Sequence, residues 1–358
     1  MHCFLTIFLV LFPTLLISQS KYNNKITEFG IFNYAGKRGV SKQMEIPKER
    51  VDGQKLGKIL SLHPPPKTVK KIDLSKRNVL VGNRGTRVVI PPNAFQYSDF
   101  LTAKGFATVH IYEVIDDFDY ITVGINQVVV GEDKKQSYFE LGGMLKVEVY
   151  QGNKKLKMSG EFPMIADFPD IYPGTSFHIY HINGEGSWVK KTDFGSYEVH
   201  KPKSEGTGKL VVGSRKMKLT SQGWWGFGLP RSETAAFKGE IKADEGSLSN
   251  LQVFALGVGF SSFISKWSSG KNFSINAIPG RQFRIFVADE KGSIGFTQVL
   301  ESSTQPGLDS LPDSPGNFRK EVPSIELKKI SPDIFSDRDR LKAYLGLKTL
   351  DFEVDYPD

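Results

Sequence analysis

Cysteine is all but missing from this sequence. Cys3 is the one thiol in 358 residues, and it lies inside an apolar N-terminal segment. Without that segment the chain forms no disulfide, no thiolate zinc site and no cysteine nucleophile. Long apolar runs are scarce as well. Phe4 to Ile17 is a nearly unbroken run of fourteen residues, short for a membrane-crossing helix. No Gly-x-Ser-x-Gly string marks a nucleophile elbow, and neither a phosphate-cradling glycine loop nor a zinc-protease string occurs.

The apolar N-terminus reads as an export signal. Ser18-Gln19-Ser20 puts small residues where a signal peptidase reads, so residues 1–20 are expected to be a cleaved signal peptide. Its positive region offers only His2 and the amino terminus, and retention as an anchor is the alternative. A cysteine-free exported chain of this size suits a bacterial envelope. The expected location is periplasmic, outer-membrane-associated or extracellular.

The formal charge of +8 is uneven. Lys21 to Arg77 holds 14 Lys and Arg against 5 Asp and Glu, while the rest of the chain holds 33 against 34. A nucleic-acid-binding domain concentrates charge on a folded face, so nucleic acid is not an expected partner. A basic leader over residues 21–77 is suited to an anionic surface or to acidic polymer.

From Asn78 onward the pattern is one of short strands. Asn78 to Val81, Thr86 to Ile90, Thr108 to Glu113, Ile121 to Val123, Phe139 to Val149 and Phe177 to His181 are rich in Val, Ile, Phe, Tyr or Thr. Turn strings such as Gly82-Asn83, Gly152-Asn153 and Pro173-Gly174 separate them, which predicts a β-sandwich over residues 78–230. Pro91-Pro92 stops one strand, and Phe95 is placed to plug an edge. Gly142-Gly143 inside a strand pattern predicts a bulge or a close backbone approach. A second unit of alternating strands covers residues 231–300. Pro306, Pro312, Pro315 and Pro323 then suggest a linker within 301–358. The tail ends in one helix, with Ser336 expected as its cap, Asp337 and Asp339 in its first turn, and Gly346 as its stop.

Gly85-Thr86-Arg87-Val88-Val89-Ile90-Pro91-Pro92-Asn93-Ala94-Phe95, the Val109–Glu113 strand and Leu141-Gly142-Gly143-Met144 together resemble a known β-sandwich domain. It is shared by ankyrins, zonula occludens proteins and netrin receptors, and the likeness covers about residues 78–200. The resemblance implies an interaction or structural module. Some relatives cleave themselves at His-Phe-Ser, but Ser176-Phe177-His178 offers no hydroxyl after the phenylalanine, so self-cleavage is not expected. Ala236 to Leu300 is similar to the carboxypeptidase-regulatory, transthyretin-like fold, on Lys238-Gly239-Glu240-Ile241, Leu251–Ala255, Gly270–Ile275 and Pro279-Gly280. That likeness implies an accessory module without a catalytic centre. The apolar Gly257–Ser269 insert departs from it and suggests a contact loop.

Candidate chemistry is thin. His178 and His181 are three apart, which in a strand sends them to opposite faces. Asp116, Asp117 and Asp119 are expected in a solvated turn, with calcium as the alternative. Trp224, Trp225 and Phe227, among Gly223, Gly226 and Gly228, suit either a stacking platform for sugar rings or an interdomain core.

The sequence therefore predicts an all-β protein of two tandem antiparallel sandwiches with a basic leader and a short C-terminal helix. Its expected role is an exported, non-enzymatic binding or structural module, contacting an envelope protein or polysaccharide and needing no cofactor or metal. A carbohydrate-binding protein using Trp224 and Trp225, and a hydrolase with a site between the sandwiches, are the alternatives.

Overall fold

The computed structural model describes residues 34–37, 40–43, 63–125, 128–130, 136–183, 188–191, 199–201, 210–231, 235–243, 248, 251–268, 270–289, 292–302 and 319–356. The expected signal peptide and most of the basic leader lie outside them. Among the described residues strand accounts for 57% and helix for 8%, an all-β architecture.

The first unit is a sandwich. Its larger sheet contains β1 (Lys67–Asp73), β4 (Phe106–Val114), β5 (Gln136–Gln151), β7 (His178–Ile182), β8 (Trp188–Lys190) and β10 (Gly223–Arg231). These run antiparallel in the order β8-β7-β10-β5-β4-β1. The facing sheet holds β2 (Asn78–Val81), β3 (Arg87–Ile90), β6 (Met164–Asp170) and β9 (Leu210–Leu219). Period-two alternation fills the space between the sheets. Ala107, Val109 and Ile111 on β4 meet Val88, Ile90, Ala166, Phe168 and Met217 from the other side, each large side chain contributing about 1.5–3 kcal/mol. The turn after Pro91-Pro92 buries Ala94 in this core together with Phe95, the residue expected to plug an edge. Lys67–Asp73, counted with the leader in the sequence, is the edge strand of the larger sheet, where exposed lysines discourage further strand pairing.

The second unit uses β11 (Ala235–Ala243), β12 (Leu251–Gly257), β13 (Phe263–Ser268), β14 (Asn272–Ala277), β15 (Gln282–Ala288), β16 (Ser293–Phe296) and β17 (Ile325–Lys329). They form one sheet, ordered β13-β12-β15-β16-β17-β11-β14, rather than two facing sheets. The end strands β13 and β14 are neighbours in the chain, so the sheet curls until it nearly closes, around Phe237, Val253, Ile275, Phe283, Ile285 and Ile325. Residues 319–321 and 325–329, assigned to linker and tail in the sequence, are part of this unit. Both segments pair parallel to β11, which departs from the expected all-antiparallel arrangement. Parallel pairing requires a long return connection, and the strands from Leu251 to Phe296 lie between these partners in the chain.

Two helices follow, α2 (Pro332–Ser336) and α3 (Arg338–Tyr344), and then β18 (Phe352–Val354), which pairs parallel with β9 of the first unit. The α3 cap is Asp337, accepting from the amides of Asp339 (2.9 Å) and Arg340 (3.0 Å). Ser336 ends the preceding helix instead. The expected Ile121–Val123 strand is also helical. Helix α1 (Asp117–Val123) starts at Asp116 in a reciprocal capping box with Asp119 and ends at left-handed Gly124; these caps outweigh the β preference of Ile121, Thr122 and Val123.

The predicted bulge is present. Phe227 pairs with Gly143 but Gly228 pairs with Leu141, leaving Gly142 unpaired. The extra residue changes the phase of β5. Phe139, Leu141 and Met144 face a cluster between the two units, whereas Leu145, Val147 and Val149 face the sandwich core. Gly143 has φ 137°, and an added Cβ would lie 2.1 Å from the buried Phe168 ring. Gly143→Ala is therefore expected to lower stability by about 2–5 kcal/mol. Urea unfolding checks this, as a lower midpoint at unchanged slope.

Candidate functional site

The densest collection of ionisable groups lies where the two units and the C-terminal helices meet. It begins at the turn Gly82–Thr86, closed by Gly82 N–H donating to the Thr86 carbonyl at 2.8 Å. From β4, the buried Glu113 carboxylate accepts from the amides of Arg84 (2.9 Å) and Thr86 (2.8 Å). Gly82 makes this possible, because a Cβ there would stand 2.3 Å from Glu113 Oε2. Burial pushes the Glu113 carboxyl above its usual range, against the pull of those hydrogen bonds.

The Arg84 guanidinium reaches Asp116 Oδ2 at 3.2 Å. Lys342 on α3, only 4% exposed, puts Nζ 2.6 Å from the same oxygen. One turn on, Arg338 of α3 pairs with Asp119 and donates to the His63 carbonyl at 2.8 Å. Its guanidinium lies 4.7 Å from the centre of the Phe118 ring. Three cations from distant parts of the sequence thus meet the start of α1. Burial works against ionising Asp116, but Lys342 and Arg84 hold its carboxyl below the usual range. At Asp119 the balance goes the other way: burial and the Asp116 charge raise it despite Arg338. Asp117 is half-buried. Burial and the charges of Asp116 and Asp119 push it up to about 7, with Lys342 opposing.

Around these charges is a continuous apolar cluster. Phe118, Leu141 and Trp224 come from the sandwich, Phe254, Phe263 and Trp267 from the barrel-like unit, and Leu341 and Leu345 from the tail. A buried ion pair adds little net stability, yet removing one partner costs about 3–5 kcal/mol because the other charge is stranded. The pairs accordingly fix which surfaces meet, and the apolar cluster supplies the stabilisation.

The expected solvated turn at Asp116–Asp119 is thus a helix start in which Asp116 and Asp119 are buried and paired with protein cations. Among the described residues, no group of three or more His, Cys, Asp or Glu is placed to hold a metal ion. Trp224, Trp225 and Phe227 do not form a sugar platform. They are 8%, 0% and 0% exposed, and strand alternation sends Trp224 into the joint while Trp225 and Phe227 enter the sandwich core. The interdomain-core reading holds for Trp224. His178 is exposed, and His181 lies on the other face with its ring 4.6 Å from Trp225. The Gly257–Ser269 insert makes its contacts inside the molecule: Phe263 and Trp267 join the shared cluster, and the Ser261 carbonyl accepts from Leu141 N–H at 2.7 Å.

One open cleft of about 780 Å³ lies on the barrel-like unit beside Lys238, Glu240, Lys266, Asn272 and Glu321. At its rim Lys238 pairs with Glu321 at 2.8 Å, and Glu240 with the neighbouring Lys271 at 3.7 Å. Sequence reasoning missed the basic side of the joint, since Arg84, Arg338 and Lys342 are ordinary surface-type residues until the fold assembles them. The acidic side carried a signal in Asp116-x-x-Asp119 ahead of Gly124, a helix-capping spacing. In comparisons with known proteins, no family model and no curated protein matches this chain.

Asp117 gives the joint a pH dependence of definite sign. Its folded pKa lies above the unfolded value, so the folded state binds the extra proton and stability declines as pH rises from about 4 to about 7. Asp117→Asn is expected to make that decline shallower, leaving the part that Asp119 and Glu113 contribute, and to stabilise the protein above neutral pH. Thermal unfolding across this range checks it; an unchanged slope contradicts the assignment.

Proposed function

We propose that this chain is an exported, non-catalytic binding or structural module of a bacterial cell envelope. The observation that supports this best is the joint itself. The converging carboxylates Asp116 and Asp119 are engaged by Arg84, Arg338 and Lys342, and Glu113 is engaged by backbone amides. Groups held in this way organise a shape and are not free to attack or protonate a substrate. The Gly85–Phe95 string, which runs from an inner strand of the facing sheet into the turn that buries Phe95, is consistent with an interaction module of the ankyrin, zonula occludens and netrin-receptor type.

The sugar-binding alternative loses its platform through the burial of Trp224 and Trp225. Against the hydrolase alternative, the converging carboxylates Asp116 and Asp119 are paired with cations and Glu113 is held by two backbone amides. Partners then have the outer loops and edges to contact, together with the basic leader.

Co-sedimentation of the mature protein with washed bacterial envelope fragments tests this reading. Saturable binding that weakens as salt is raised is expected. Protein that stays in the supernatant at every envelope concentration contradicts it.

A further inference from the structure

One end of the sandwich carries apolar side chains that the core does not use. Phe100 is 71%, Leu101 64% and Phe106 59% exposed. They belong to one ordered loop at the entry to β4. Tyr97 N–H donates to the Leu101 carbonyl at 2.8 Å, Phe100 N–H to the Tyr97 carbonyl at 3.1 Å, and Leu101 N–H to the Asp99 carboxylate at 3.2 Å. Ala103 N–H closes the loop onto the carbonyl of buried Phe95 at 2.9 Å. Phe100 has φ 68°, a left-handed conformation that a phenylalanine rarely adopts. The loop therefore spends backbone strain to present two adjacent apolar side chains to solvent.

Cations surround them. Lys157 Nζ lies 5.3 Å from the centre of the Phe100 ring, and Lys71 Nζ 4.5 Å from that of Phe106. Gln151 gathers the rest of the tip, donating to the Lys104 carbonyl at 2.8 Å and the Phe106 carbonyl at 3.2 Å while pairing with Lys154 in the strand ladder. Lys71, Lys104, Lys154 and Lys157 are exposed; the acids beside them are Asp99 of the loop and Asp73, which lies opposite Phe106 in the ladder and pairs with Lys76 at 3.6 Å.

From this geometry we infer that the Tyr97–Phe106 tip is a contact surface for an anionic lipid membrane. Phe100 and Leu101 enter the acyl boundary, and Phe106 and the lysines lie at headgroup level. Rigid apolar tips ringed by lysines meet both requirements of such a surface, apolar burial and attraction to anionic headgroups. The inference rests on the envelope reading above and narrows it to lipid.

Flotation of the full mature chain with phosphatidylglycerol/phosphatidylethanolamine vesicles is the test, with phosphatidylcholine vesicles for comparison. The wild-type protein is expected to float with the anionic vesicles and not with the neutral ones. Phe100→Ser with Leu101→Ser keeps every charge, including those of the basic leader, and should weaken binding about tenfold or more. Circular dichroism of that variant should be unchanged, because neither side chain is in a core. Phe100→Trp adds an exposed fluorophore to four native tryptophans, and brominated lipid should quench the added emission. Equal flotation of wild type and the double serine variant overturns the proposal, as does emission from Phe100→Trp that lipid leaves unchanged. Sedimentation with envelope fragments or acidic polysaccharide but not with anionic vesicles also overturns it, and leaves the envelope reading standing. Failure in both assays removes both.

Discussion

The apolar seam between the two β units can form only if the charges at the start of α1 are neutralised where they are buried. Asp116 and Asp119 cap the helix that carries Phe118 into the seam, so they cannot move out to solvent without undoing the cap. Arg84 from the sandwich and Arg338 and Lys342 from the tail supply the compensating charge. The same tail places Leu341 and Leu345 into the apolar cluster and then adds β18 to the sheet of the first unit. The C-terminal segment is thus a strap that runs from the barrel-like unit back to the sandwich. Its position depends on electrostatics and its stability on burial.

The bulge at Gly142 makes the second contribution. A regular strand presents one face to one core, and β5 serves two because a single extra residue reverses its alternation. Phe139 and Leu141 serve the joint, and Val147 and Val149 the sandwich. Gly142 and Gly143 leave room for the Phe177 and Phe168 rings at the crossover, where a Cβ would lie 2.7 Å and 2.1 Å away. Both units therefore share one backbone element without a hinge between their cores.

Much of this was legible in the sequence wherever it followed from local pattern. Alternating β-branched and aromatic runs located most strands, Pro91-Pro92 ended one of them, and Gly142-Gly143 announced the bulge. What stayed hidden depended on long-range assembly. The β-branched Ile121-Thr122-Val123 concealed a helix specified by its caps. The strands at 319–321 and 325–329 were hidden because parallel pairing leaves no turn signal nearby. The tryptophans illustrate the same limit: Trp224-Trp225 reads equally as platform or core, and only the strand's place between two cores decides it. The exposure of Phe100 and Leu101 is likewise a fact of the fold.

Differential scanning calorimetry of the mature chain and of its Arg338→Ala/Lys342→Ala variant tests the central claim most directly. A strap that couples the units predicts one cooperative transition for the wild-type protein. In the variant, Asp119 is stranded and Asp116 keeps only Arg84, which should lower stability by about 3–5 kcal/mol for the Asp119 pair alone and separate the melting of the two units into two transitions. A variant that melts in one transition at the wild-type temperature would contradict the account.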